Sequence, residues 1–341
     1  MKMLSKFVAA AALALAQSAT AASAGCDAGE TVLKFSVVTS LQGHPKGEAA
    51  LAYADAINTE LNGRYCIEVY GQSDLYSDGP ELFEAMNRGE VHFAAPSMSK
   101  LGDFTKGFLL FDIPFIFDGP LHALEFLDSE AAAGLLREIE DDGLVGLGFW
   151  SNGMRHFSAT VPMRLPGDAE GLTFRVQSSS PVTLMAMDIM GITAKKLAFS
   201  KVYDALASGE VQGQQNTWSN IQSKGFYLEQ AAVTQTNHTY LGYVVMASKV
   251  FFDDIPASDR QVFIDTMKLV THERNRFAFE INQARRQDIL DDEGIIIRLA
   301  PQEVQAWRDA FAPILTAFRD EIGANLIDAA IRSNAQTDPY N

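Results

Sequence analysis

The chain has 341 residues, of which 47% are hydrophobic, and its formal net charge is −16 at pH 7. This size and apolar content allow a large buried core and suggest about two domains. The acidic balance, with no basic run to offset it, argues against nucleic acid and anionic membrane surfaces as partners.

The first 24 residues have the pattern of a cleaved secretory signal. Lys2 and Lys6 precede the apolar run FVAAAALALA, and small residues at 22–24 follow it. The apolar run is too short to span a bilayer, which argues against a membrane anchor. Cleavage after Ala24 removes two lysines and no acids, and it leaves 317 residues with a charge of −18. We therefore expect an exported, periplasmic protein.

The only two cysteines, Cys26 and Cys66, each precede a predicted strand. An oxidising compartment allows them to form a disulfide that closes a long loop. They lack the paired spacing of a zinc site, and the six histidines are scattered, so no metal or cofactor is predicted. The alternatives are two free thiols, or a lipid on Cys26, because SAGC at 23–26 resembles a lipoprotein processing site.

The predicted elements follow the same order in both halves of the chain. The first half has strand VLKFSVV, a helix at 49–61, strand CIEVY and the helix-glycine-strand segment LFEAMNRGEV at 82–91. The second half has LTFRV, helix PVTLMAMDIM, ITAKKLAF and VYDALASGEV at 202–211. The two ten-residue segments align without a gap, although a general helix-glycine-strand pattern is the alternative explanation. The repeated order predicts two facing α/β lobes, each a mostly parallel sheet flanked by helices.

Two apolar runs, LVGLGFW at 144–150 and TYLGYVVMA at 239–247, are predicted to be long strands that cross between the lobes. A helix of around 30 residues follows and is expected to span both lobes. Ser258 and Gln261 form its predicted capping box. Its predicted buried face consists of Phe263, Met267, Val270, Phe277, Ile281 and Ala284.

Polar residues at strand ends indicate where a ligand binds. In parallel sheets, ligands lie beyond the carboxyl ends of the strands. Arg175 and Ser178–Ser180 fall at the carboxyl end of one predicted strand, and Ser97 follows another. Thr217 lies 120 residues after Ser97, the same offset as the repeated segments, so these ends are expected to line one cleft.

Arg175 is the principal candidate for binding an anion. A buried arginine is costly unless it is paired, and a carboxylate ligand would accept two charge-assisted hydrogen bonds from its planar guanidinium. The alternative is an internal bridge to an aspartate or glutamate. Arg155 and Asn216 add donors with few acids beside them in sequence, which favours a site that accepts an anion.

Several further residues are candidates for the wall or the mouth of the cleft. Trp150 and Trp218 are the better wall candidates among the aromatic residues, although core packing is the alternative for both. His44 and Lys46 lie in the first strand-to-helix loop, a mouth position, or else in a solvated loop. The chain has no GxSxG, P-loop, HExxH or EF-hand pattern, so an enzyme is not predicted.

Most of the chain after the signal resembles the solute-binding proteins of TRAP transporters, the tripartite ATP-independent periplasmic systems. The segments that carry the resemblance are RVQSS at 175–179, AFSKVYDALASGEVQGQQN at 198–216, QSKGFYLEQ at 222–230 and TNHTYLGYVV at 236–245. The segments DLYSDGPELFEAMNRGEVHFAAPSMSK at 74–100 and FDIPFIF at 111–117 resemble the dicarboxylate, or DctP-type, branch.

The resemblance implies a periplasmic-binding-protein-like clamshell that closes on an organic acid. It implies that Arg175 forms the principal salt bridge to the ligand and that Arg155 and Asn216 assist it. It also places Ser97 and Trp150 near the pocket. Where the family usually reads VDGQENP, this chain reads VQGQQNT at 211–217, so that Gln215 replaces an acid.

The resulting domain prediction is a signal peptide at 1–24 and two discontinuous lobes. Lobe I comprises 25–152 plus 242–281, and lobe II comprises 153–241 plus 282–341.

The predicted function is capture of a small organic acid for delivery to the membrane subunits of a TRAP transporter, by a protein expected to be a monomer. A C4-dicarboxylate such as malate, succinate or fumarate is the leading ligand. The alternatives are a sugar acid, a 2-oxo acid or an aromatic acid, a sensory role with the same pocket, or a periplasmic enzyme that uses the same arginine to orient an acid substrate.

Overall fold

The computed structural model of the protein describes residues 26–335, so the predicted signal peptide lies outside the described residues. The strands are β1 Thr31–Ser36, β2 Tyr65–Tyr70, β3 Phe93–Ala94, β4 Leu144–Met154, β5 His156–Ala159, β6 Thr173–Val176, β7 Thr193–Lys196, β8 Gly213–Asn216, β9 Ala232–Gln235, β10 Tyr240–Ser248 and β11 Ile296–Arg298. The α-helices are α1 Pro45–Glu60, α2 Pro80–Asn87, α3 Pro120–Leu127, α4 Glu130–Glu138, α5 Pro181–Ile189, α6 Val202–Ala207, α7 Trp218–Ser223, α8 Lys249–Asp254, α9 Ala257–Asp291, α10 Pro301–Ile322 and α11 Ala324–Ser333.

The strands form two sheets with helices packed on them. The first sheet has the order β2-β1-β3-β10-β4, and the second has the order β11-β9-β5-β8-β6-β7. Within them, β1 pairs in parallel with β2 and β3, and β6 pairs in parallel with β7 and β8. Because β10 and β5 pair antiparallel with their neighbours, both sheets are mixed. The predicted two-lobed α/β fold is confirmed.

The two long strands form where they were predicted, but the prediction that they cross between the lobes is wrong, because both lie side by side in the first sheet. β4 and β10 pair antiparallel from Leu144 opposite Ser248 to Met154 opposite Tyr240. The chain then continues directly into β5 of the second sheet. Gly153 lies at this crossing with a φ of +154°, a conformation that side-chain-bearing residues rarely adopt, which explains glycine at this position.

Helix α9 has 35 residues and packs against α1 and β4 of the first lobe and against α7 of the second. Neither α9 nor any other helix among residues 26–335 is long and apolar enough to cross a membrane. The predicted capping box is wrong, because the helix begins at Ala257 after Pro256 and the Ser258 hydroxyl bonds to Asp259.

The buried face of α9 is confirmed in its first half and wrong in its second. Phe277 is 42% exposed, whereas its neighbour Ala278 is buried. The face that contacts the rest of the protein moves by one residue where α9 leaves the first lobe, and it becomes partly polar. Its apolar and amide members are Phe263, Met267, Val270, Ala278, Asn282 and Ile289.

The C-terminal helices connect the two lobes. α10 packs against α5 and against a short 3-10 helix at Lys106–Asp112, and α11 packs against α3 and α4. The Trp307 ring of α10 stacks on Phe157 of β5 with ring centroids 5.4 Å apart. Residues 301–333, which the sequence assigns to lobe II, therefore touch elements of both lobes, and the lobe boundaries stay a prediction.

Cys26 and Cys66 form a disulfide, with their Cα atoms 5.6 Å apart. The bond ties the segment before β1 to β2, the edge strand of the first sheet. Closing a loop with a sequence separation of 40 residues restricts the unfolded chain, which in the chain-entropy model is worth about 4 kcal/mol.

Candidate functional site

A cavity of about 30 Å³ lies between the lobes, at the ends of strands from both sheets. Lys46 of α1 and Ser97, shortly after β3, line it from the first lobe. Arg175 of β6 and Asn216 of β8 line it from the second. This is the position where an α/β sheet presents its ligand-binding groups, and the structure brings these four predicted residues together there.

Arg175 is buried, with only 4% of its surface exposed. Its Nε donates a hydrogen bond to the carbonyl oxygen of Leu197 at 3.1 Å. Among residues 26–335, no carboxylate lies within 4 Å of its guanidinium. Burial, reinforced by the positive charge of Arg155, lowers the pKa of Arg175 to about 9. The guanidinium therefore lies in the cavity wall without an internal counter-ion.

Two lysines add positive charge to the same cavity. Lys46 is fully buried, with its Nζ 3.0 Å from the carbonyl oxygen of Ala95 and 3.5 Å from Oδ2 of Asp78. The Nζ of Lys100 donates to the backbone carbonyl of Asp78. Burial lowers the pKa of both lysines, and Asp78 opposes this shift.

The cations exceed the acids around the cavity. Arg175, Lys46 and Lys100 line it together with a single carboxylate, that of Asp78. With all four groups ionised, this part of the structure has an excess of two positive charges. Sequence reasoning missed Lys100 and Asp78, although both lie in the segment 74–100 that carries the family resemblance.

Two buried hydroxyl groups also face the cavity. The buried oxygens of Ser97 and Thr39 have no hydrogen-bond partner among residues 26–335. Leaving a buried polar atom unpaired costs about 1–3 kcal/mol, so this wall is suited to a ligand that offers polar oxygens.

Arg155 does not line the cavity. Its Nη1 lies 3.1 Å from Oδ1 of Asp112, and its Nη2 donates to the Ser99 hydroxyl at 2.7 Å. Both members of the ion pair are almost fully buried. The charge of Arg155 is thus paired inside the protein and reaches the site through its effect on the pKa of Arg175.

The two tryptophans are packed outside the cavity lining. Trp150 stacks on Phe35 at 5.7 Å, and its Nε1 donates to the Thr271 hydroxyl. The Trp218 ring lies 4.0 Å from that of His156.

Two polar candidates also lie behind the lining. Oε1 of Gln215 is hydrogen-bonded to Nε2 of His238 at 2.6 Å. His44 is buried and bonded to Asn220, which does line the cavity. Direct ligand contact by Arg155, Trp150, Trp218, Gln215 and His44 stays a prediction.

A larger cavity of about 380 Å³ lies on the outer side of the first lobe, between α3, α4, β4 and α9. Its titratable residues Asp128, Lys268, His272 and Arg276 are exposed. Its polar residues are already bonded to the protein, since the Thr271 hydroxyl accepts from Trp150 and Asn275 bonds to the β4 backbone. The buried, unpaired cation of the interlobe cavity has no counterpart there, and we assign the site to the interlobe cavity.

Because of its buried histidines, we expect the folded protein to lose stability in mild acid. Burial lowers the pKa of His44 and His156 to about 3 and that of His238 well below its ordinary value. In the unfolded chain each returns to about 6.5, so below that pH the unfolded state binds more protons than the folded state. Unfolding is then favoured as the pH falls from about 6.5 towards 3.

We expect the melting temperature of the ligand-free protein to decrease between pH 7.5 and pH 5.5, a range in which ordinary carboxylates do not titrate. The variant His272→Gln, which changes an exposed histidine, should follow the wild-type curve. A melting temperature that stays constant over this range would contradict the prediction.

The two facing lobes, with a buried arginine left for an anion between them, define a solute-binding protein. Residues 35–321 match the model of the family described as bacterial extracellular solute-binding protein, family 7. The chain belongs to this family. Because its members are binding proteins, the prediction that the chain is not an enzyme is confirmed.

Relatives support this assignment over nearly the whole chain. The C4-dicarboxylate-binding periplasmic protein DctP of Vibrio cholerae is 39% identical over 95% of this chain and 97% of its own. A TRAP periplasmic solute-binding protein of Shewanella oneidensis, solved with bound succinate, is 36% identical with a TM-score of 0.86, over 89% of this chain and 99% of its own. One of Pseudomonas aeruginosa with bound L-malate is 35% identical with a TM-score of 0.81, over 84% of this chain and 99% of its own.

Proposed function

We propose that this protein captures a C4-dicarboxylate such as succinate, malate or fumarate. The observation that carries the proposal is the excess of two positive charges around the interlobe cavity, which includes a buried arginine with no internal counter-ion. A dicarboxylate supplies two negative charges at neutral pH and so matches the site. The succinate- and malate-bound relatives support the same ligand class.

Arg175 binds one carboxylate through two parallel hydrogen bonds, and Lys100 and Asn216 hold the other end of the ligand. Ser97 donates its unpaired hydroxyl, and Lys46 keeps Asp78 neutralised. Because these groups come from both lobes, the ligand binds the closed state better than the open one and stabilises closure. Binding and closure require no change in the ligand.

The same proposal includes delivery of the ligand to the membrane subunits of a TRAP transporter by an exported, monomeric protein. Cleavage of residues 1–24 would release the chain from the export machinery. The disulfide occupies the Cys26 sulfur to which a lipid would otherwise be attached, which favours a protein without a lipid anchor.

Isothermal titration calorimetry with an organic-acid panel tests the proposal. We expect succinate, L-malate or fumarate to bind more tightly than butyrate, which has the same chain length and one carboxylate. A sugar acid, a 2-oxo acid and an aromatic acid complete the panel, and preferential binding of one of them would replace the proposed ligand. Failure of every acid to bind would contradict the function.

The variant Lys100→Met tests the charge argument. It removes one of the two excess charges, so we expect at least a 10-fold loss of dicarboxylate affinity, which corresponds to about 1.4 kcal/mol, and little change for butyrate. Lys106→Met, at an exposed lysine outside the cavity, is the matched control. Equal losses for dicarboxylate and monocarboxylate would show that Lys100 does not recognise the second carboxylate.

A further inference from the structure

A chain of hydrogen bonds leads from the start of α1 in the first lobe to the cavity. The backbone N–H of Lys46 donates to Nδ1 of His44 at 3.1 Å, and Nε2 of His44 lies 2.8 Å from Oδ1 of Asn220. Asn220 then donates from Nδ2 to Oδ1 of Asn216 at 2.5 Å. His44, Asn220 and Asn216 are all buried, so water does not compete freely for these bonds.

The direction of each bond in this chain is fixed by the first one. A backbone N–H can only donate, so Nδ1 of His44 accepts and a neutral His44 has its proton on Nε2. That proton is donated to Asn220, whose side-chain oxygen must face His44 and whose amide nitrogen must face Asn216. The side-chain amide of Asn220 is therefore oriented by the backbone of α1, and that of Asn216 by Asn220 together with the backbone N–H of Thr217.

Asn216 is left with its N–H groups for the cavity. Its Oδ1 accepts two hydrogen bonds, from Nδ2 of Asn220 and from the backbone N–H of Thr217 at 3.1 Å. An amide oxygen has two lone pairs, so this acceptor is fully used. The Asn216 side chain lines the cavity, and the group that it has to offer a ligand is the amide donor.

The chain of bonds crosses between the lobes. His44 immediately precedes α1, which packs on the first sheet, whereas Asn216 ends β8 of the second sheet and Asn220 lies on α7. The contact between His44 and Asn220 therefore depends on the close approach of the two lobes, and it adds a bond from the first lobe to those that hold Asn220 and Asn216.

We propose that His44 is a positioning residue that, on lobe closure, orients the Asn216 amide donor towards a ligand carboxylate through Asn220. This inference rests on the proposed function, because it needs an anion in the cavity. A role limited to capping α1 would use only Nδ1 of His44. The second bond, to the other lobe, is the feature that such a capping role leaves unexplained.

The variant His44→Asn separates the two roles. Asparagine is a favourable N-cap and can accept from the Lys46 N–H, but it is too short to reach Asn220. We expect the variant to stay folded with a lower melting temperature, because the buried Asn220 oxygen loses its donor, while the dissociation constant for succinate rises about 10-fold. If the wild type binds succinate and His44→Asn binds it with the same affinity, the positioning role is overturned and the proposed function stands.

A double-mutant cycle with Asn220→Leu tests whether the residues act as one unit. If His44 acts through Asn220, adding His44→Asn to Asn220→Leu should cause no further loss of affinity. Losses that add in full would overturn the proposal. Nitrogen-15 NMR of the succinate-bound protein should show the His44 proton on Nε2, and a proton on Nδ1 would also overturn it. If the wild type binds no acid of the panel, the proposed function and this inference both fail.

Discussion

Replacement of Arg175 by alanine is expected to lower the affinity for succinate or L-malate by at least 10-fold. The guanidinium is buried and has no internal counter-ion, so the ligand carboxylate is its partner. Loss of one member of a desolvated, hydrogen-bonded charge pair costs about 2–5 kcal/mol of binding free energy. Isothermal titration calorimetry measures the change directly.

Arg175→Lys distinguishes charge from geometry. Lysine keeps the charge but lacks the planar pair of donors, so we expect an affinity between those of the wild type and Arg175→Ala. Arg276→Ala, at an exposed arginine on α9 away from the interlobe cavity, is the control and should bind as the wild type does. Wild-type affinity in both Arg175 variants would show that another residue holds the anion.

Asp112→Ala is expected to cause a large loss of stability. Arg155 and Asp112 form an ion pair that is almost fully buried, and the Ser99 hydroxyl is bonded to both. Removal of Asp112 leaves a buried guanidinium without its counter-ion, which typically costs about 3–5 kcal/mol of unfolding free energy. Urea unfolding of the ligand-free protein measures this loss.

A matched control lies on the surface. Asp118 pairs with Arg308 at 2.9 Å, but both side chains are more than a third exposed, so Asp118→Ala should change the unfolding free energy by less than about 1 kcal/mol. The double variant Asp112→Leu with Arg155→Met removes both buried charges and should recover much of the stability. Equal effects of Asp112→Ala and Asp118→Ala would contradict the assignment of Arg155 as an internally paired group.

The fold was predictable because its elements repeat a local pattern. The order of strands, helices and glycine stops recurs in both halves, and the long apolar runs of β4 and β10 show no helical period. The face of α9 beyond Val270 was not predictable in the same way, because its partners change along its length. Asn282, which is polar, is buried there by bonding to the carbonyl oxygen of Asn152.

The anion site was predictable in part. Arg175 and Asn216 lie at the ends of strands and Ser97 follows one, so the position of the strand ends locates them. Asp78 lies in a loop and Lys100 ends the short 3-10 helix Met98–Lys100, and the path of both segments depends on tertiary packing. The sequence near Arg155 does not show that Asp112, 43 positions away, is its partner. Whether an arginine binds a ligand or is neutralised inside the protein depends on which distant segment packs against it. The local sequence pattern does not contain that information.

The Cys26–Cys66 bond links the order of folding to the order of export. Both sulfurs remain reduced in the cytoplasm, where glutathione and thioredoxin maintain thiols. The cross-link therefore forms in an oxidising compartment such as the one outside the cytoplasm in which the family acts. The proposed export thus implies that the covalent step of folding follows translocation.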